Sequence, residues 1–175
     1  MRTRALNVVV AMLMMSGFSR PQDACGEPDW RSLIVADGPT AESERQALMA
    51  AIRVMPRLPA RVAVIDANEA APEVKATLLQ LDTFITRGSP VVYVLRHSPL
   101  LQGAKTGSTF HILALSAALW HEIAHVEGAD ERGAREREQS LWTSFVRDQR
   151  VDQLTALRYL SALSKRSHHQ LMALR

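Results

Sequence analysis

The sequence has little of what marks several classes of protein. It contains one cysteine, Cys25, so an intramolecular disulfide is impossible and the fold cannot depend on a disulfide framework. Its 21 lysines and arginines are scattered among 18 acidic residues without a basic stripe, which argues against a nucleic-acid partner. It also lacks internal repeats and low-complexity linkers. With 175 residues, 47% of them apolar, we expect one globular domain.

The N-terminus differs in composition from the rest of the chain. Two arginines lie within residues 1–4, and residues 5–18 form an uncharged run that is short for a bilayer-spanning helix. This layout is typical of a secretory signal peptide. We predict that residues 1–24 are a signal peptide and that residues 25–175 form one exported domain, periplasmic or extracellular, without stable membrane insertion. The alternatives are an uncleaved N-terminal membrane anchor or a buried first helix.

The remaining chain alternates short β-branched runs with segments of helical periodicity, which predicts an α+β fold with a small sheet packed under several helices. The predicted strands are residues 60–67 and 90–95, with a further short strand at Leu33–Val35. Residues 96–107 are predicted to be a loop. The predicted helices span residues 41–55, 72–86, a long segment starting at Ser108 or Thr109, a segment from about 129 to 146, and one more after residue 150.

The long helix contains the sequence HEIAH, residues 121–125. His121 and His125 are separated by about one helical turn, so both imidazoles leave the same face and can bind one zinc ion. Glu122 lies next to them, where it can hold a proton from a metal-activated water. The alternative is that the two histidines are hydrogen-bonded in or near a core without a metal.

A catalytic zinc usually takes three protein ligands and keeps one position open. Gly128 can end the long helix in a left-handed turn, and the chain reversal would bring Glu131 back over His125. Glu138 lies two turns further along the same face as Glu131. We predict Glu131 as the third ligand, with Glu138 as its substitute or as the group that orients a histidine. The alternative for each of these two glutamates is an exposed surface charge with no role at a metal.

HEIAH followed by ERGAR resembles the zincin metallopeptidases, and in particular the gluzincins, over about half of the chain. Their pattern is HExxH on one helix and a glutamate on the next. The resemblance implies a zinc-dependent peptidase with one Zn²⁺ per chain and a peptide or protein substrate. It implies that His121, His125 and Glu131 are the ligands, that Glu122 is the general base, and that Ala134 is a small packing residue.

The resemblance also implies an edge strand above the active helix that pairs with an extended substrate. In this sequence that strand would be formed by Val92, Tyr93 and Val94. Many such enzymes have an additional oxyanion donor. The residues considered for it, each of which is also explained by packing or surface exposure, are Tyr159, His168, His169, His97 and His111.

The sequence departs from the gluzincin pattern at Arg135, where these enzymes often have aspartate. The missing partner would then come from Asp130 or Glu138. The spacing from His125 to Glu131 equals that of the metzincins, but these need a methionine turn, and Met172 is the only methionine downstream. We therefore interpret the chain as a compact gluzincin-like domain.

Three functions follow from these observations. The first is an exported zinc peptidase. The second is a zincin-like scaffold that binds metal or a partner without turnover, and the third is a structural helical envelope protein. Glu122 favours the peptidase, because metal binding alone does not require it.

Overall fold

In the computed structural model of the protein, residues 29–161 are described, and they form seven α-helices and one four-stranded sheet. The predicted α+β class is confirmed. The predicted signal segment, Cys25 and the tail with His168, His169 and Met172 lie outside the described residues. The elements in chain order are α1 (Trp30–Leu33), β1 (Ile34–Val35), α2 (Ala41–Arg53), β2 (Arg61–Ile65), a 3-10 turn (Ala67–Glu69), α3 (Pro72–Leu78), β3 (Thr83–Ile85), β4 (Val91–Leu95), α4 (Pro99–Lys105), α5 (Thr109–Val126), α6 (Glu131–Arg147) and α7 (153–161).

The sheet has the strand order β1-β2-β4-β3. The first three of these strands are parallel, and β3 runs antiparallel to β4, with Phe84 opposite Tyr93. The prediction that Val92, Tyr93 and Val94 form an edge strand is therefore wrong, because β4 is hydrogen-bonded on both sides. The edge on this side of the sheet is β3, which lies beside α5.

The error arises in residues 72–86, which were predicted to be one helix. Pro72 does occupy the first turn of α3, but the helix ends at Leu78 and the chain returns to the sheet as β3. Residues 83–85 are Thr-Phe-Ile, and β-branched and aromatic side chains fit a pleated surface better than a helix. Phe84 stacks on Tyr93 with 5.1 Å between the ring centroids, and this cross-strand pair stabilises the register.

The predicted loop at residues 96–107 is also wrong, because it contains α4. The Ser98 hydroxyl accepts hydrogen bonds from the backbone of Leu100 and Leu101, and Pro99 occupies the first helical position. Gly103 lies against the ring of His111 on α5. A Cβ built on Gly103 would lie 2.2 Å from Cγ of that ring, so the absence of a side chain lets the two helices approach.

Two buried clusters fix the position of α5 between the sheet and α6. The first joins one face of the sheet to α2, α4 and α5, and its larger members include Leu48, Ile52, Val62, Val92, Leu101, Leu115 and Leu119. The second joins α5, α6 and α7, and its larger members include Leu113, Leu141, Trp142, Phe145 and Tyr159. Because α5 is packed on both sides, the orientation of its polar residues is determined by the core. Among residues 29–161, no helix combines the length and the apolar character needed to cross a membrane.

Candidate metal centre

A tight turn joins α5 to α6 and brings the two helices side by side. Gly128 has a φ of +91°, a left-handed conformation that favours glycine, and it follows directly on the end of α5. The side chain of Asp130 then accepts a hydrogen bond from the backbone N–H of Gly133 at 2.8 Å and caps α6. Asp130, one of the two residues considered for the missing gluzincin aspartate, is therefore a capping residue.

The turn brings together three possible metal donors, two imidazole nitrogens and one carboxylate oxygen. Nε2 of His121 and Nε2 of His125 are 3.1 Å apart. Oε2 of Glu131 lies 3.2 Å from Nε2 of His125 and 3.7 Å from Nε2 of His121. Tetrahedral zinc with bonds of about 2.0–2.1 Å to nitrogen and oxygen separates its donor atoms by about 3.3 Å. Two of the separations lie within about 0.2 Å of this value and the third within about 0.4 Å, so the three residues offer suitable donors at a spacing near that of a zinc site.

Neighbouring groups determine which atoms of His125 and Glu131 face the position that the three donor atoms share. Nδ1 of His125 is 3.0 Å from the carbonyl oxygen of Ala129. Since a carbonyl only accepts, Nδ1 carries the proton and Nε2 has a free lone pair for a metal. Arg135 donates to Oε1 of Glu131 at 2.6 Å, which leaves Oε2 directed at the histidines. The arginine that departs from the gluzincin pattern thus holds a carboxylate in place.

Glu138 lies on the other side of the His121 ring. Its Oε2 is 3.1 Å from Nδ1 of His121, and its Oε1 accepts a hydrogen bond from the hydroxyl of Tyr159 at 2.8 Å. Burial lowers the pKa of His121, but the close contact with the Glu138 carboxylate, together with the charges of Glu122 and Glu131, outweighs this effect and raises the pKa. Glu138 is therefore placed to orient a histidine, and it does not face the point that the three donors share.

Glu122 points toward the sheet and is 9% exposed. Its Oε1 accepts a hydrogen bond from the hydroxyl of Thr83 on β3 at 3.1 Å. Burial raises the pKa of Glu122, although the charges of His121 and His125 and the Thr83 hydrogen bond act in the opposite direction. Sequence reasoning missed Thr83, because it assigned this residue to a helix.

The structure does not bring the other predicted residues to the three donors. Val92, Tyr93 and Val94 lie in the central strand β4, and their backbone is paired with β2 and β3. Among the candidate oxyanion donors, the hydroxyl of Tyr159 is directed at Glu138, and Nδ1 of His111 lies 2.8 Å from the hydroxyl of Ser108. Within residues 29–161, the buried ring nitrogens of His97 have no hydrogen-bond partner.

Comparisons of the chain with protein-family models, with curated proteins and with solved structures find no match. The function therefore has to be argued from the chemistry of this site.

Proposed function

We propose that the protein is a zinc-dependent peptidase with one Zn²⁺ per chain, held by His121, His125 and Glu131. The observation that carries the proposal is the convergence of these three donors with a buried carboxylate, Glu122, beside them. The order of the elements supports a gluzincin-like arrangement, because the helix with HEIAH is followed by a helix that contributes a glutamate. The composition of residues 1–24 supports an exported enzyme.

The reaction is hydrolysis of a peptide bond. A zinc ion at this position would polarise the scissile carbonyl and lower the pKa of a water molecule. The role of Glu122 would be to accept a proton from the attacking water at its carboxylate as the water oxygen adds to the carbonyl carbon. Glu122 then donates the proton to the amine nitrogen as the carbon–nitrogen bond breaks. The hydrogen bond from Thr83 holds one oxygen of Glu122, so the orientation of the carboxylate is determined before the substrate binds.

The strand proposed to bind the substrate is β3, in place of the central strand that the sequence indicated. Among the described residues β3 pairs only with β4, so its second edge has backbone groups available for an extended peptide. A peptide bound along Thr83–Ile85 would pass beside Glu122, because Thr83 contacts this residue directly.

The experiment measures zinc content and peptide cleavage in the same preparations. Wild type is expected to carry about one zinc per chain and to cleave a mixed peptide library. Glu122→Gln is expected to keep the zinc and to lose cleavage by about 10²- to 10⁴-fold. His121→Ala is expected to lose both. The matched control is Glu136→Gln, which makes the same change at an exposed position of α6 and should behave as wild type.

Two results would reject the peptidase. If wild type carries no zinc, the metal centre is wrong, and the remaining function is a structural one. If wild type carries zinc but cleaves nothing, the second function applies, a metal-binding or partner-binding protein without turnover. This second function uses the same ligands, but it gives no role to the buried carboxylate of Glu122.

A further inference from the structure

Glu138 is a buried carboxylate that contacts Tyr159 of α7 and the Nδ1 side of the His121 ring. It is 4% exposed, and each of its oxygens has a different partner. Oε1 accepts from the hydroxyl of Tyr159, and Oε2 contacts Nδ1 of His121. A continuous chain of polar contacts therefore runs from α7, through α6, to a candidate ligand on α5.

Aromatic packing holds Tyr159 in this position. Its ring stacks on Trp142 with 4.0 Å between the centroids and an angle of 25° between the planes. The indole nitrogen of Trp142 donates to the carbonyl oxygen of Ala156, one turn before Tyr159 on α7, at 3.4 Å. Phe110 packs edge-on against the Tyr159 ring at 6.4 Å. The hydroxyl is thus presented to Glu138 by a rigid cluster.

We propose that Tyr159 is a positioning residue for the metal centre and acts through Glu138. By donating to Oε1, Tyr159 keeps Oε2 on Nδ1 of His121. A carboxylate 3.1 Å from Nδ1 favours the tautomer with its proton on Nδ1, which leaves the lone pair of Nε2 on the side of His125 and Glu131. Without the hydroxyl, Oε1 is a buried acceptor without its donor, and the carboxylate rotates away from the histidine. This inference rests on the proposed zinc site and adds a residue from outside the HExxH hairpin to it.

The test is a double-mutant cycle on zinc affinity, measured on the full chain by competition with a chromophoric chelator. Tyr159→Phe is expected to weaken zinc binding by about 10-fold. This is the lower end of the loss of metal affinity seen when a group that orients a metal ligand is changed. Glu138→Gln is expected to weaken it by about 10- to 100-fold. In the Glu138→Gln background, Tyr159→Phe should weaken zinc binding by less than about 2-fold, because Glu138, through which Tyr159 acts, has already been changed. Tyr93→Phe is the matched control, since it removes a phenolic hydroxyl from the sheet.

Cobalt substitution gives a second measurement that loss of stability alone would not change. The visible absorption of bound Co²⁺ reports ligand geometry, and we expect it to change in Tyr159→Phe and to stay as in wild type in Tyr93→Phe. The inference is overturned if Tyr159→Phe binds zinc and cobalt as wild type does, or if its effect is the same in both backgrounds. If wild type binds no zinc, the proposed function itself has failed.

Discussion

Glu131 and Glu138 provide the sharpest test of the site, because the same chemical change should mainly affect zinc affinity at Glu131 and should also affect the stability of the metal-free protein at Glu138. Both lie on one face of α6, two helical turns apart. Glu131 is about half exposed, at 53%, and its Oε2 faces the Nε2 atoms of His121 and His125. Glu138 is buried and contacts the opposite side of one ring. The perturbation is Glu→Gln at each position, which removes the charge and keeps the shape.

The expected magnitudes follow from burial and from the partners. Glu131→Gln removes the charge of a proposed ligand, so zinc affinity should fall by more than the roughly 10- to 100-fold that is typical of groups that orient a ligand. The stability of the metal-free protein should change by no more than about 0.5 kcal/mol, because about half of the side chain is exposed to solvent. Glu138→Gln should lower zinc affinity by about 10- to 100-fold. It should also lower the metal-free stability by about 1–3 kcal/mol, because a buried amide cannot replace both the Tyr159 hydrogen bond and the charged contact with Nδ1 of His121.

The assay pairs chelator competition with urea unfolding in the presence of EDTA. The two variants should change order between the measurements: Glu131→Gln should be the weaker zinc binder, and Glu138→Gln the less stable metal-free protein. The reasoning is refuted if Glu138→Gln loses more zinc affinity than Glu131→Gln. That result would make Glu138 the ligand and Glu131 a surface charge paired with Arg135.

Three further predictions concern stability and are measured by urea or thermal unfolding. Glu44→Gln should lower the free energy of unfolding by about 3 kcal/mol, because it breaks the ion pair of a buried carboxylate with Arg96. This value is the lower end for a buried pair, since Arg96 is partly exposed. The control Glu42→Gln, on the surface of the same helix, should leave the free energy of unfolding almost unchanged. Gly103→Ala should lower the free energy of unfolding by about 1–3 kcal/mol, because the new methyl group would meet the His111 ring. The double variant Gly103→Ala/His111→Ala should lose less free energy of unfolding than the two single variants lose together. Zinc at 100 times its dissociation constant should raise the free energy of unfolding by about 2.7 kcal/mol, and EDTA should reverse this; no shift with saturating zinc would contradict a site in the folded state.

Local sequence signals were enough to predict the helical hairpin that carries the candidate site. The period of the long helix, Gly128 after its end and Asp130 at the start of the next helix act within a few residues of one another, and the structure contains all three features. The capping signal at Ser98 and Pro99 was equally local, but the short helix that it begins was interpreted as a loop. The identity of the metal and of its ligands stays a prediction.

Strand order could not be predicted, because it depends on pairing between distant segments. A strand of three residues, Thr83–Ile85, has too little alternation to be distinguished from the end of the preceding helix. Its position is determined by backbone pairing with Val92–Val94 and by the stacking of Phe84 on Tyr93. The contact between Thr83 and Glu122 spans 39 positions of the chain, so no local pattern indicates it.

The position of Glu122 makes the corrected strand order relevant to catalysis. A carboxylate surrounded only by apolar groups would be neutral over a wide pH range, whereas one in open water would be a weak base. Burial raises the pKa of Glu122, and the histidines and the Thr83 hydroxyl limit this rise. The hydroxyl can do so because Thr83 belongs to β3, the edge strand that lies beside α5. The strand proposed to bind an extended peptide thus also holds the proposed base, so a peptide bound along β3 would pass beside the Glu122 carboxylate.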